Sequence, residues 1–340
     1  MRFILSAAAG LLVACIGFEV ALQCMPVASG VRIQDSSAAD PIPRYRPLQP
    51  YTYSFGWALS NTHHAATNRQ GYSNSRDFTD GANALVVGDS FIESFMVDYG
   101  ESVQGVLDAA VGKVYAAGRS GNGLADALVV ARHYLPSTHA RTVIFFVEPY
   151  DIRDIDKPGA RGHNQFDFGP QGVSISHVPY VESPSKERVL KSALLRYLYY
   201  NLKFPEWLKS QGMGKPAEPD ATALAQQRAR RAQALDYLMG ELASLQREHG
   251  TRFVFLVDGD RNGLYSKGKS VPNWRGDERD MLIQSAKGKG FDVVDMQPVF
   301  AAHWNRYHER LDWLPMDGHW NRVAHKLAAQ QLLPLVQAPR

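Results

Sequence analysis

Five short apolar runs punctuate the chain, at 84–87, 114–116, 142–147, 253–257 and 293–294. They are rich in β-branched and aromatic residues and bounded by polar or glycine positions, the signature of buried strands. Between them, apolar residues recur at helical spacing over 91–107 (interrupted at Gly100), 124–134, 189–202, 221–248, 281–287 and 323–335. Strands alternating with helices predict a parallel sheet covered on both faces, a three-layer α/β/α sandwich of about five strands. Other stretches lack a period. Residues 152–185 are dense in Gly, Pro, Asp and Ser and read as a long irregular insertion. Residues 212–219 read as a linker-like break, and 259–276 as a glycine-rich loop. Over 28–80, Pro41, Pro43, Pro47 and Pro50 predict an extended linker. Its aromatics Tyr45, Tyr51, Tyr53, Phe55 and Trp57 are too dense for a free tether, so this segment is expected to pack on the domain or line a cleft.

The N-terminus changes the picture. Met1-Arg2 precedes sixteen uncharged residues, Phe3 to Phe18, before Glu19 and Gln23 interrupt the apolar stretch. This is an export signal or a membrane anchor. The readings, in order, are an uncleaved anchor, a cleaved signal, and a lipoprotein processed at Leu12-Val13-Ala14-Cys15. All three put the rest of the chain outside the cytoplasm. The expected division is 1–27 signal or anchor, 28–80 aromatic-rich linker, and 81–340 main domain with insertions near 152–220. Both cysteines, Cys15 and Cys24, lie in the first segment. The main domain therefore has no disulfide, thiolate nucleophile or cysteine metal site.

Composition adds little beyond this. Hydrophobic residues at 45% and charged residues at 21% are those of a globular protein. A net charge of +3, with Arg228, Arg230 and Arg231 on a solvated helix face, gives no reason to expect a nucleic-acid partner.

The candidate chemistry sits at strand ends. Ser90 follows the first strand, just past Gly88, where ligands bind in open α/β sheets. Its hydroxyl needs a base. Asp317-Gly318-His319, near the other end of the chain, offers one: His319 as base and Asp317 as its orienter. Asp89 is expected to fix the turn by bonding to nearby backbone. Gly121, after the second strand, can present a backbone N–H to an oxyanion with no side chain in the way.

Gly88-Asp89-Ser90, Gly118-Arg119-Ser120-Gly121 and Asp317-Gly318-His319, in that order across 80–335, resemble the SGNH (GDSL-type) hydrolase superfamily. The resemblance implies an SGNH/flavodoxin-like fold, with Ser90 as nucleophile, His319 as base and Asp317 as orienter. It also implies backbone oxyanion donors at Ser90 and Gly121. Exported members commonly act on O-acyl groups of polysaccharides, which implies an acylated glycan or small ester substrate and no cofactor. The pattern breaks at Glu148-Pro149-Tyr150-Asp151, where Tyr150 replaces an Asn that supplies a further oxyanion donor. Pro149 stiffens this turn, so Tyr150 is expected to shape the pocket, with donation by its hydroxyl as the alternative. Asn68 to Tyr72 resembles a stretch found upstream of the serine in exported members and is read as structural.

The function expected is hydrolysis of O-acyl groups of an extracytoplasmic glycan. The alternatives are a carbohydrate O-acetyltransferase using the same triad, and a non-catalytic glycan-binding or assembly protein. No metal is expected, because the remaining histidines, His63 and His64 included, lack ligand spacing. Trp304, Tyr307, Trp313 and Trp320 are read as core or rim aromatics, with sugar stacking as the alternative.

Overall fold

The apolar runs form one sheet in the computed structural model, which describes residues 2–205, 207–208, 220–266, 273–314 and 316–337. The strands are β1 (Ala84–Gly88), β2 (Val114–Gly118), β3 (Thr142–Val147), β4 (Arg252–Val257) and β5 (Asp292–Asp295). All pair in parallel, in the order β2-β1-β3-β4-β5. Alternate residues feed two cores. Leu85, Val87, Phe145 and Phe255 pack under the helices Leu124–Thr138, Ala221–His249 and Glu278–Gly288. Val86, Ile144, Phe146 and Leu256 pack under Val103–Val111, Met296–Tyr307 and Arg322–Gln337. The period of two thus buries both faces and produces the expected three layers. The chain leaves β1 first to one side and then to the other, so the strand order reverses at β1, and a crevice opens beyond its carboxyl end.

Several elements differ from the sequence expectation. Residues 91–107 form a four-residue helix, Ser90–Glu93, a 3-10 turn at Tyr99–Glu101, and then Val103–Val111. The break lies at Ser94, in the left-handed region at φ 53°, whose hydroxyl turns back to the Phe91 carbonyl at 2.5 Å. The next helix starts where the Ser102 hydroxyl caps the Gly105 N–H. Short polar side chains compete here for the backbone. The stretch 189–202 splits at Ser192 into Pro184–Lys191, Ala193–Arg196 and a π-turn, Tyr197–Asn201. Part of the irregular insertion is a hairpin, Asn164–Gly169 with Gly172–His177. The glycine-rich loop holds a helix, Arg261–Ser266. Met296–Tyr307, unexpected from sequence, tolerates Pro298 because a first-turn N–H needs no helical partner. The break at 212–219 lies outside the described residues.

Within 28–80, Pro50–Phe55 pairs antiparallel with Ser60–Ala66. Arg2–Gln23 is a helix, and its window Leu5–Gln23 has mean hydropathy 2.1, long and apolar enough to cross a membrane. Its end is tied to the domain. Glu19 accepts from the Ala193 and Leu194 N–H groups at 2.9 and 2.8 Å, and Leu22 packs with Val27, Leu59 and Ala193.

Candidate active site

Ser90 is the first residue of the short helix after β1, capped by Asp89, whose carboxylate accepts from the Phe91 N–H at 2.9 Å. The end of β2 packs hard against this turn. A Cβ on Gly118 would lie 2.6 Å from the Glu93 nitrogen and 2.8 Å from the Asp89 carbonyl oxygen, so only glycine fits.

The other half of the site comes from Asp317–Trp320, paired antiparallel with Asp312–Trp313. His319 Nε2 lies 2.8 Å from Ser90 Oγ. His319 Nδ1 lies 2.5 Å from Asp317 Oδ1, which also accepts the His319 backbone N–H at 2.9 Å. Asp317 Oδ2 accepts from the Tyr53 hydroxyl at 2.6 Å. Burial pushes the Asp317 carboxyl up. Hydrogen bonds from His319 and Tyr53, with the imidazole's charge, outweigh that and hold it well below the usual carboxylate range. The Tyr53 phenol is pushed up by burial and by the Asp317 charge, so it stays a donor.

A buried layer supports this loop. Trp320, fully buried, packs edge-on to Phe91 and Phe146 and donates its indole N–H to Asp258 at 2.8 Å. Arg261 pairs with Asp258 at 3.0 Å and donates to the Gly318 carbonyl at 2.6 Å. His325 is buried beneath Trp320. It accepts from the Val103 N–H at 3.2 Å, and burial pushes its pKa down to about 3, so it packs as a neutral ring.

No family model matches the chain, and no curated protein matches it. Solved structures similar to it include an alpha/beta hydrolase enzyme from the metagenome of Lake Arreo, Spain, at 13% identity, covering 76% of this chain and 96% of that one, with a TM-score of 0.43. An acetyl xylan esterase is similar at 11% identity, with 74% and 99% covered and a TM-score of 0.41. A catalytic mutant of an acetylxylan esterase from Geobacillus stearothermophilus is similar at 13%, with 77% and 97% covered and a TM-score of 0.38. The chain's own strand order and its motifs at the strand ends decide the architecture. The fold is a three-layer α/β/α sandwich around a five-stranded parallel sheet.

At this site a cleft of 380 Å³ opens in front of Ser90, lined by Gly121, Asn122, Glu148, Tyr150 and His163. Gly121 sits at φ 81°, a conformation that favours glycine. Among the described residues, nothing accepts the backbone N–H of Ser90 or Gly121. The Gly121 turn is pinned through its neighbour. Buried Glu93 accepts from the Ser120 N–H, from Ser120 Oγ at 2.9 Å and from the Tyr45 hydroxyl at 2.8 Å. Burial pushes Glu93 up to about 7 against those hydrogen bonds.

Tyr150 lines the cleft beside Ser90. It is 59% exposed, with the Arg153 guanidinium 4.8 Å over its ring. We expect Tyr150→Phe to keep turnover within about twofold, whereas loss of one oxyanion donor costs about a hundredfold or more. Tyr150→Ala should mainly raise KM. Steady-state kinetics on a small ester separates the two.

Sequence reasoning missed one cluster. Asp89, Glu148 and Asp151 bring carboxylate oxygens within 4.8 Å of one another, close enough to share protons or a cation. Burial, then mutual repulsion, pushes up the pKa of Glu148 and Asp151, and burial does the same for Asp89. Glu93 and Arg261 were also missed, and Tyr53 was legible only as one of the aromatics that pack on the domain or line a cleft. Only tertiary contact reveals the partner of each.

Proposed function

We propose that the protein is a serine-dependent ester hydrolase that removes O-acyl groups from a glycan outside the cytoplasm. The observation that supports this most is the chain of short contacts from Ser90 through His319 to Asp317, open to a cleft with free backbone N–H groups. In this mechanism Ser90 Oγ attacks the ester carbonyl while His319 takes its proton. Asp317 holds the imidazole with Nδ1 protonated and Nε2 facing the serine, and Tyr53 fixes the carboxylate. The backbone N–H groups of Ser90 and Gly121 receive the oxyanion. His319 then protonates the leaving sugar hydroxyl, and water, activated by the same imidazole, releases the acid from Ser90. The membrane-length helix at Leu5–Gln23 supports placement at the outer face of a membrane, with the domain tied to it through Glu19.

Hydrolysis and acyl transfer share every step up to the acyl-enzyme. With an activated acetyl ester as donor, we expect the full-length protein to release acetate at the same rate with or without a glycan acceptor. Slow hydrolysis with acetylation of the acceptor would instead assign an O-acetyltransferase, whose site must keep water from the acyl-enzyme. Glycan binding with no turnover of any ester would leave the non-catalytic reading.

A further inference from the structure

A second cavity, of 620 Å³, lies on the far side of the Gly118-Arg119-Ser120-Gly121 turn. Its size falls in the range of small-ligand sites, about 300–1,000 Å³. Arg119, Lys186 and Arg196 line it, and no aspartate or glutamate does. Arg119 is only 1% exposed. Its Nη2 contacts His163, but Nε and Nη1 have no acceptor. The Arg196 Nε is likewise buried without a partner. Lys186 Nζ bonds only the Tyr180 hydroxyl, at 3.0 Å.

Among the described residues, no carboxylate lies within 4.0 Å of any of the three cations. Glu93 faces Arg119, but its oxygens already serve Tyr45 and Ser120, and its raised pKa leaves it only partly charged at neutral pH. A buried guanidinium without an acceptor is costly and calls for an anion. The rest of the wall is aromatic, with Tyr51, Phe95, Tyr199 and Tyr200. Tyr199 is 58% exposed and packs edge-on to Tyr200 at 4.8 Å, which leaves aromatic surface open to a sugar ring. The cavity also communicates with the candidate catalytic groups. His163 lines both it and the cleft at Ser90, and Tyr53, on its wall, donates to Asp317.

We propose that this cavity is a subsite for an anionic sugar residue of the substrate, with Arg119, Lys186 and Arg196 taking its carboxylate or phosphate and the tyrosines taking its ring. The proposal rests on the ester-hydrolase reading only for the identity of the neighbouring reaction. Guanidinium is suited to both anions because its planar fork of donors matches their oxygens. The segment 184–201 that carries Lys186 and Arg196 also packs on the base of the N-terminal helix, so a lipid headgroup is the competing occupant that the experiment must exclude.

The test uses full-length protein in a neutral detergent and three O-acetylated methyl glycosides: of glucose, of glucuronic acid and of glucose 6-phosphate. At least one anionic sugar should be favoured over the neutral one by about tenfold or more in kcat/KM, mainly through KM, as expected for charge-assisted hydrogen bonds. Comparison of the two anionic arms tells carboxylate from phosphate. Arg196→Gln and Lys186→Gln should each cut that ratio severalfold, and Arg119→Lys should cut it further. The ratio to the neutral sugar reads the anion and not the integrity of the fold. If no glycoside is turned over, the hydrolase reading fails, but the subsite remains testable. Isothermal titration of the Ser90→Ala protein should then still show saturable binding of glucuronic acid or glucose 6-phosphate, not glucose, weakened by Arg196→Gln. Equal handling of all three sugars in both assays would overturn the proposal. So would variants that leave the ratio unchanged and instead weaken association with phosphatidylglycerol vesicles.

Discussion

Ser90→Ala and His319→Ala are each expected to lower ester turnover by about a million-fold, and the double variant should be scarcely worse than either single one. The reason is geometric. With Oγ 2.8 Å from Nε2, the serine is a useful nucleophile only while the imidazole is there to take its proton, and without the serine there is no acyl-enzyme for the imidazole to resolve. Residual activity should come from the backbone donors at Ser90 and Gly121 and from substrate binding, which neither substitution removes. Additive losses in the double variant would mean that the two residues act in separate steps. The measurement is kcat on an activated acetyl ester, with circular dichroism confirming that each variant is folded.

The second large effect is at Asp317. Asp317→Asn should lower turnover by about ten-thousand-fold with little change in KM. The carboxylate accepts three hydrogen bonds, from His319 Nδ1, the His319 backbone and Tyr53. An amide oxygen can accept the Nδ1 proton only if its NH₂ then faces the Tyr53 hydroxyl. If the amide flips, it donates to Nδ1 and forces the imidazole proton onto Nε2, which can then no longer act as a base toward Ser90. Tyr53→Phe should cost far less, because it loosens the carboxylate without changing the tautomer. A Tyr53→Phe loss as large as that of Asp317→Asn would show that the phenol takes part directly.

The strands were legible because each carries apolar side chains on both faces. Runs such as Thr142–Val147 cannot sit anywhere but the middle of a two-sided sheet. The three groups now found linked in a chain, Ser90 to His319 at 2.8 Å and His319 to Asp317 at 2.5 Å, were legible because each sits in a short motif at a strand end. What stayed hidden depends on long-range contact. Ser60–Ala66 is polar or small along most of its length and so shows no alternation, yet its partner strand delivers Tyr53 to Asp317 across 264 residues of sequence. The helix breaks at Ser94 and Ser192 arise from hydroxyls that bond back to the chain or, at Ser192, cap the next helix and reach Glu19. A hydrophobic pattern does not register such bonds. Arg119 was read only as part of a turn, because its burial follows from the insertion folding over it through His163.

The most direct test of the account is covalent labelling of the full-length protein with a fluorophosphonate, followed by peptide mapping. The account predicts one modified residue, Ser90, with labelling abolished in Ser90→Ala and in His319→Ala. Labelling that persists in the Ser90→Ala protein, or that maps to another serine, would contradict it.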